Sequence, residues 1–303
     1  MSQLIKLDNY ISRYERDIFH YPSQFSRLKT ENWQRLKQLW QDQVLHNVTT
    51  TEMEQEASQA SYFTKWRSFF NSRSDMEEES DEIEVLPETE EALKQYFLDA
   101  LFPFQLKWAS TTIDQMSFID NTYKQDFLLK YFLQRIPDTH LLLYRPVFRL
   151  KNGPIEGEII LISPLEIEII TLIEKPSTQR IITGDSRTWY LEEFHIQSKA
   201  LSPMIAAKRT ETIIHSILKK YQLDFPVKKV ILSRTNIMDF QTEPYRTKFV
   251  DANQHENWLK QKQTLYTPLK HQQLKVAEAL LKHGDSIAVP RPEWQQQEST
   301  QIL

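Results

Sequence analysis

Glu156 and Glu158 are two glutamates separated by one residue, and paired carboxylates of this kind could hold a metal ion. In an extended strand, residues two apart point to the same face, so the segment PIEGEIILISP would present both carboxylates together. Carboxylate oxygens are ligands that Mg²⁺ prefers, and bound Mg²⁺ can hold a phosphate and generate hydroxide for phosphodiester hydrolysis. The alternative is that the two glutamates only form the solvated face of a strand, and both interpretations stay open.

Other catalytic chemistries lack the residues that they need. The chain has no cysteine, which excludes disulfides, thiolate zinc sites and cysteine nucleophiles. Four glycines are too few for a glycine-rich phosphate loop, and no GxSxG motif is present. The eight histidines show no metal-ligand spacing. We therefore expect no cofactor, with Mg²⁺ required only if the carboxylate site is active.

A run of strands followed by a helix must position the two glutamates. The pattern predicts strands at 141–150, 155–162 and 167–173, with a tight hairpin turn at Asn152-Gly153 between the first two. A helix begins after them at Ser202-Pro203. The other expected strands are at 179–183, 187–196, 227–233 and 247–250. The other expected helices are two within 9–47 separated by Pro22, one at 88–101 ended by Pro103, one from Asp120 or Asn121 to Pro137, one at 254–262 and one from Thr267-Pro268 to Gly284.

These elements predict an α/β (α+β) fold in which helices flank a central mixed sheet. From about Ser117 to Trp258 the layout resembles the nuclease-related (NERD) domain family, which belongs to the PD-(D/E)xK nuclease-like class. That family begins with a helix, here FIDNTYKQDFLLKYFLQRIPDT, and a strand, here LLLYRPVFRL. Its second strand carries two acids, whose positions Glu156 and Glu158 match. The resemblance implies a restriction-endonuclease-like fold, with Glu156 and Glu158 as the catalytic remnant and Glu158 as the metal ligand of an active site.

The sequence departs from the family pattern at linked positions. In the family the third strand ends in an ExK motif, and a later Asn-Pro motif with a Gln opens a helix. Counting from the preceding turn puts the ExK positions at Thr171, Leu172 and Ile173, so neither the acid nor the lysine is present. Ser202-Pro203 replaces Asn-Pro, and Ala206 replaces the Gln. We therefore expect a pseudoenzyme that does not cleave nucleic acid.

The alternative is a divergent Mg²⁺-dependent nuclease with a migrated active site that uses Glu174 or Lys175. These two residues are adjacent, so on a strand they would point to opposite faces. Glu166 and Glu168 share a face, but no lysine follows two positions later. A migrated site requires the Glu174 or Lys175 side chain to approach Glu158.

The charge distribution suggests partners. The net charge is −4, but ten acids and no base lie within 75–91, so the rest of the chain is net positive. Residues 201–283 hold fourteen Lys and Arg against seven Asp and Glu, which favours nucleic acid bound through the basic C-terminal half. A further hypothesis is that the acidic run competes within the molecule for this basic surface.

The sequence predicts four segments. An N-terminal helical region spans 1–74, an acidic linker 75–87, the NERD-like domain 88–285 with its core at about 117–258, and a tail 286–303. The N-terminal helices are a candidate site for a protein partner. Their aromatic block at 61–71 either binds a partner or a membrane surface or packs on the protein itself. The longest apolar stretch, at 159–173, is interrupted by charged residues and a proline, so we expect no membrane span and a cytoplasmic protein.

Overall fold

The computed structural model describes residues 1–49, 86–151, 153–265 and 267–291. The chain divides into two compact units, Met1–Tyr21 with Trp108–Leu303 and Pro22–Lys107. The aromatic block at 61–71, the acidic run up to residue 85 and the tail after residue 291 lie outside the described residues. The strands are β1 (Gln3–Leu7), β2 (Gln115–Met116), β3 (Leu141–Tyr144), β4 (Val147–Leu150), β5 (Gly153–Glu156), β6 (Ile159–Ile162), β7 (Ile167–Leu172), β8 (Arg180–Ile182), β9 (Thr188–Glu193), β10 (Ile196–Leu201), β11 (Val227–Leu232), β12 (Met238–Asp239), β13 (Thr247–Val250) and β14 (Val289–Pro290). The helices are α1 (Tyr21–Thr49), α2 (Glu90–Trp108), α3 (Asn121–Lys124), α4 (Phe127–Arg135), α5 (Met204–Lys220), α6 (His255–Gln263) and α7 (His271–Leu281), and Arg13–Glu15 forms a 3-10 helix.

The central sheet of the first unit contains six strands in the order β1-β3-β6-β7-β11-β13. β6 is antiparallel to both of its neighbours, and the other five strands run parallel to one another. These strands are rich in Leu, Ile and Val and almost wholly buried, as expected for strands covered on both faces. The predicted mixed α/β fold with a central mixed sheet is confirmed. We call the edge where the five parallel strands end and β6 begins the carboxyl edge.

Two predicted strands are each divided in the middle. The predicted strand 141–150 is β3 and β4, and 155–162 is β5 and β6. Between β3 and β4, Arg145 adopts a left-handed backbone with φ 47°, and Pro146 has no N–H to continue the ladder. Gly157 makes the matching corner between β5 and β6. The β4–β5 hairpin therefore leaves the central sheet. Gly153 was predicted as a central turn residue, but it is the first residue of β5 and pairs with Leu150.

The strand β1 differs from the prediction, which has a helical region at 1–74. β1 pairs in parallel with β3, with Gln3 opposite Leu141 and Leu7 opposite Tyr144. Its sequence QLIKL is short and lacks a regular alternation, so its local pattern is weak. The N-terminal residues thus belong to the central sheet, and regular helix starts only at α1.

The described residues of the second unit form α1 and α2, which confirms helices in the N-terminal part of the chain. α1 is one helix rather than the two predicted, because Pro22 lies in its first turn, where the missing N–H has no helical partner to lose. α2 continues past Pro103 instead of ending before it. The two helices pack through Trp33 and Phe97, whose ring centroids are 5.3 Å apart.

Helix ends in the first unit also differ from the prediction. The helix expected from Asp120 is α3 and α4, because the Asp126 side chain accepts hydrogen bonds from backbone N–H groups and starts a second helix. The last helix begins at His271 rather than at Thr267, and it ends before Gly284 as predicted. No helix within the described ranges is long and apolar enough to cross a membrane.

A second sheet has the order β10-β9-β8-β12. The predicted strand 187–196 is β9 followed by a turn, because Phe194 and His195 both have positive φ, at 49° and 65°. β10 then returns antiparallel to β9. β8, β9 and β10 are inserted in the chain between β7 and α5, next to the candidate site.

Candidate functional site

Glu156 and Glu158 lie at the carboxyl edge, but they are not on one strand. Glu156 is the exposed last residue of β5, and Glu158 precedes β6. Gly157 between them donates its N–H to the Pro146 carbonyl oxygen at 2.8 Å, and a Cβ at this position would lie 3.0 Å from the Phe148 ring. This close crossing turns the chain between the two glutamates, so the prediction that they share a strand face is wrong.

Helix α5 fixes this segment with two hydrogen bonds. The N–H of Glu158 donates to the Thr210 hydroxyl at 3.1 Å, and Thr210 is fully buried. Arg209 Nη2 donates to the carbonyl oxygen of Glu156, also at 3.1 Å. The two glutamates are therefore held by their backbones, which leaves both carboxylates available for other contacts.

Helix α5 starts at Met204, one residue later than predicted, with Pro203 at the N-cap position. The Ser202 hydroxyl accepts a hydrogen bond from the N–H of Met204 at 3.3 Å, and Pro203 comes immediately before the helix. Ala206 is partly buried in the first turn of the helix. It brings no polar group to the position where the resembled family has a Gln.

The Glu158 carboxylate faces Thr171 across the sheet. Continuing the register of β6 and β7 by one residue makes Glu158 and Thr171 cross-strand neighbours. Burial raises the pKa of Glu158 above its ordinary value, and the Thr171 hydroxyl and the positive charges of Arg209 and Arg145 oppose that rise. The negative charge of the exposed Glu156 adds to the rise. The site therefore contains two carboxylates, one of them partly buried, together with one hydroxyl and two guanidinium groups.

The two positions where the resemblance would put the acid and the lysine of an ExK motif hold buried side chains. Thr171 and Ile173 are 6% and 7% exposed, and both lie on the face of β7 that packs on α5. Ile173 is part of an apolar cluster that also contains residues of the inserted strands. The cluster comprises Ile173, Ile181, Trp189, Met204, Ala207, Ile231, Met238 and Phe249. The lysine position of the family pattern is thus inside a hydrophobic core, where an ammonium group would lose its hydration.

Glu166 and Glu168 lie at the other end of β7 and do not approach Glu158. Glu166 forms an ion pair with Lys228 at 2.5 Å, and Glu168 forms one with Lys262 at 2.5 Å. Burial raises the pKa of Glu168, and Lys262 opposes that rise. Both carboxylates have structural partners, so neither completes a metal site with Glu158.

Glu174 forms an ion pair with Arg234 on the face of the sheet that carries α4, opposite the face that carries Glu158. Its carboxylate accepts hydrogen bonds from Arg234 Nε at 2.5 Å and Nη2 at 2.9 Å, and the Arg234 guanidinium lies 4.8 Å from the centroid of the Tyr131 ring of α4. The hydrogen bond from Arg234 holds the pKa of Glu174 below its ordinary value, although burial opposes it. Lys175 has an exposed side chain, and its N–H donates to the side-chain oxygen of Asn236 at 2.8 Å.

Arg234, Tyr131 and His255 form a group of polar side chains that was not predicted from the sequence. The Tyr131 hydroxyl is hydrogen-bonded to Nε2 of His255, and burial raises the pKa of Tyr131 and lowers that of His255. Arg234 follows β11 and His255 starts the helix after β13, so both lie where parallel strands end. The convergence of polar residues at the carboxyl ends of parallel strands is the signal that could have found them.

The donor groups present do not fit the Mg²⁺ site that the resemblance implies. Among the residues that the structure describes, no group of three or more His, Asp and Glu side chains could hold a metal ion. Glu158 has a hydroxyl opposite it instead of a second carboxylate. In the family pattern, acids on two neighbouring strands supply the Mg²⁺ ligands. Thr171 occupies the position opposite Glu158, so the second acid of that pattern is missing here.

Comparison with known proteins gives one short similarity. No protein-family model matches the chain, and no solved structure matches it. An RNA 2′,3′-cyclic phosphodiesterase of Geobacillus stearothermophilus is 51% identical to this chain over 41 residues. That segment is 14% of this chain and 13% of the phosphodiesterase. The chain is therefore similar to a small part of that enzyme, and this extent of similarity does not define its family.

Proposed function

We propose that the first unit is a nuclease-related domain of the PD-(D/E)xK type that binds nucleic acid without cleaving it. The observation that carries this proposal is that Glu158 faces the Thr171 hydroxyl, where the resembled family has a second carboxylate. The order of elements supports the same proposal. Helix α4 is followed by the meander β3-β6-β7, then by α5, and then by β11 parallel to β7.

Cleavage by the family mechanism requires groups that this site lacks. A metal ion must be held beside the phosphate, and a lysine must orient the attacking water or stabilise the developing charge. Thr171 is a neutral side chain, and Ile173 contributes only apolar surface to a buried cluster. One carboxylate, Glu158, is left to perform a task that normally needs two carboxylates and a lysine.

The exposed face of α5 supports nucleic acid as the partner. The helix buries an apolar stripe and exposes a basic one next to the candidate site. The exposed basic residues of α5 are Lys208, Arg209, His215, Lys219 and Lys220. The acid Glu211 on the same helix is neutralised by Lys229 at 2.5 Å. Such a surface attracts phosphates, and binding should weaken steeply with salt between roughly 50 and 200 mM as counterions are released.

RNA is the first nucleic acid to test. The curated protein that shares a 41-residue segment with this chain is named for a cyclic phosphodiester of RNA. A protein partner on the N-terminal helices α1 and α2 is a separate proposal, which deletion of residues 22–107 would test. It does not depend on the candidate site.

A migrated active site is the less favoured function. It requires Glu174 or Lys175 to meet Glu158, but Glu174 is held by Arg234 on the face of the sheet that carries α4. Glu158 faces Thr171 on the face that carries α5. The sheet itself separates the two carboxylates.

The deciding experiment follows labelled single- and double-stranded RNA and DNA, with Mg²⁺ or Mn²⁺, in the presence of wild-type protein or Glu158→Ala. We expect binding by both proteins and cleavage by neither. Lys208→Ala combined with Lys219→Ala should weaken binding, whereas Lys260→Ala, which removes an exposed charge from α6, serves as the matched control. Metal-dependent cleavage that disappears in Glu158→Ala would overturn the proposal.

A further inference from the structure

Arg145 is held in an unfavourable backbone conformation at the carboxyl edge. Its φ of 47° is left-handed, and it precedes Pro146, a position where an L-residue strongly prefers an extended backbone. Neighbouring contacts enforce this conformation. The Tyr144 hydroxyl donates to Asp126 Oδ2 at 2.8 Å, and the N–H of Gly157 donates to the Pro146 carbonyl oxygen at 2.8 Å. Strained residues of this kind persist where surrounding structure imposes them, and they concentrate at binding and active sites.

The strained corner presents an exposed guanidinium group. The Arg145 Cζ lies 5.6 Å from the centroid of the Tyr144 ring, and the Tyr144 hydroxyl is itself fixed by Asp126. This packing limits the side chain to one region beside the start of β6. A guanidinium held in this way loses less conformational entropy when it binds an anion.

Arg209 supplies a second guanidinium from α5. One of its nitrogens donates to the Glu156 carbonyl oxygen, which leaves further N–H groups for another acceptor. The hydrogen bond from the Gly157 N–H to the Pro146 carbonyl oxygen brings the Arg145 corner to the same segment, 156–158, that Arg209 contacts from α5. The positive charges of both arginines also lower the pKa of Glu158. Within the described part of the chain, neither arginine has a carboxylate within ion-pair distance.

We propose that Arg145 and Arg209 form a metal-free binding site for a backbone phosphate of nucleic acid, beside Glu158. The planar guanidinium fork matches phosphate oxygens and can bind them through two parallel hydrogen bonds. The two arginines supply the positive charge that a metal ion supplies in a nuclease. This inference rests on the proposed nucleic-acid binding function and names the residues that make the contact.

The effect of neutralising Glu158 distinguishes an arginine site from a site in which a metal ion bridges Glu158 and the phosphate. If a metal joined Glu158 to the phosphate, removal of the Glu158 charge would weaken binding. In an arginine site the Glu158 carboxylate competes with the phosphate for the same two guanidinium groups. Its neutral isostere therefore strengthens binding, and chelation of divalent metals has no effect.

The test measures dissociation constants of the full chain for labelled single-stranded RNA and DNA at one fixed ionic strength, with EDTA present and absent. We expect Arg145→Gly and Arg209→Ala each to raise the dissociation constant about tenfold, because each loses charge-assisted hydrogen bonds to a phosphate. Glu158→Gln should lower the dissociation constant about threefold. EDTA should change none of these values.

Two variants separate a binding role from a folding role. Arg145→Gly removes the guanidinium and also relieves the left-handed strain, so the variant should bind less tightly while its unfolding temperature stays equal or rises. Arg209→Lys keeps a positive charge on α5 and should recover part of the binding lost in Arg209→Ala. Lys260→Ala on α6 is the control for loss of a single exposed charge and should bind as wild type does.

The inference fails if EDTA abolishes binding and Glu158→Gln weakens it, because a metal then bridges the carboxylate and the phosphate. It also fails if Arg145→Gly and Arg209→Ala bind as tightly as wild type while the Lys208→Ala and Lys219→Ala double variant does not. In both cases nucleic-acid binding itself stands. If the wild-type chain binds neither RNA nor DNA, the proposed function fails together with the site.

Discussion

Glu158 and Thr171 stand opposite each other at the ends of β6 and β7, with a carboxylate on one side and a hydroxyl on the other. A threonine hydroxyl is neutral and cannot replace the second carboxylate that the family pattern has on the neighbouring strand. A single substitution at this position therefore tests whether the geometry of a metal site is still present.

We expect Thr171→Glu to create Mg²⁺-dependent stability. Two carboxylates facing each other repel, so the variant should be less stable than wild type without metal. Mg²⁺ that binds only the folded variant should then raise its unfolding temperature by about 3 °C and leave wild type unchanged. Thermal unfolding with and without MgCl₂ measures this. Thr171→Val, which also removes the hydroxyl, is the control, and an equal unfolding temperature of Thr171→Glu in both buffers would contradict the prediction.

The ion pair of Glu174 and Arg234 is expected to contribute stability and not catalysis. Both side chains are about a quarter exposed, at 26% and 27%, and they share two hydrogen bonds. A double-mutant cycle with Glu174→Gln and Arg234→Gln should give a coupling energy of about 1 kcal/mol in urea unfolding. Neither single variant should change nucleic-acid binding or cleavage. Loss of a metal-dependent cleavage activity in Glu174→Gln would instead favour the migrated active site.

The strands of the central sheet were predictable where short segments rich in β-branched and aromatic residues lie between turn residues. The predictions at 167–173, 227–233 and 247–250 agree with β7, β11 and β13. The sequence alone put the ExK positions at 171–173, which stays a prediction, and the register of β6 and β7 extended by one residue places Thr171 opposite Glu158. The information needed for these predictions lies within a few adjacent residues.

The remaining features depend on contacts between distant parts of the chain. β1 is recognisable as a strand only beside β3, more than 130 residues later in the chain. The separation of Glu156 from Glu158 results from the crossing at Gly157, where a Cβ would lie 3.0 Å from the Phe148 ring and 3.2 Å from the Pro146 carbonyl oxygen. Arg234 reaches Tyr131 only once α4 packs on the sheet. The pattern of apolar and polar residues within a short segment carries no information about such contacts.

Lys6 is expected to be among the most sensitive positions for stability. Its side chain is fully buried, and Nζ donates to Glu15 Oε1 at 2.7 Å, to the Tyr10 carbonyl oxygen at 2.7 Å and to the Ser286 hydroxyl at 2.6 Å. Lys6→Met removes the cation and leaves the Glu15 carboxylate without its partner, so the free energy of unfolding should fall by about 3 kcal/mol. Chemical denaturation measures this change.

Two further variants check the reason for that loss. Lys6→Met combined with Glu15→Gln should be more stable than Lys6→Met alone, because no unpaired charge remains. Lys282→Met breaks the exposed ion pair with Glu278 and should cost less than about 1 kcal/mol. If Lys6→Met costs no more than Lys282→Met, the buried ion pair does not have the stabilising role assigned to it.

His140 is expected to make the fold acid-sensitive. The side chain is fully buried between α4 and β3, and burial lowers its pKa from 6.5 to about 3, with a smaller contribution from the positive charge of Lys262. In the unfolded chain His140 therefore becomes protonated as the pH falls below 6.5, whereas in the folded chain it stays neutral down to about pH 3. Stability is highest above that window and falls as the pH is lowered through it. At about pH 5 the histidine alone should cost about 2 kcal/mol relative to pH 7.

The measurement compares the free energy of unfolding at pH 7 and pH 5 for wild type and His140→Asn. Other groups that titrate in this range contribute equally to both proteins, so they cancel in the difference between the two pH slopes. The variant loses the contact of Nδ1 with the Thr139 hydroxyl, which lies at 3.2 Å, and is expected to be less stable at pH 7. Its stability should nevertheless fall less on acidification, by about the 2 kcal/mol assigned to the histidine. Equal slopes would mean that another group is responsible for the acid sensitivity.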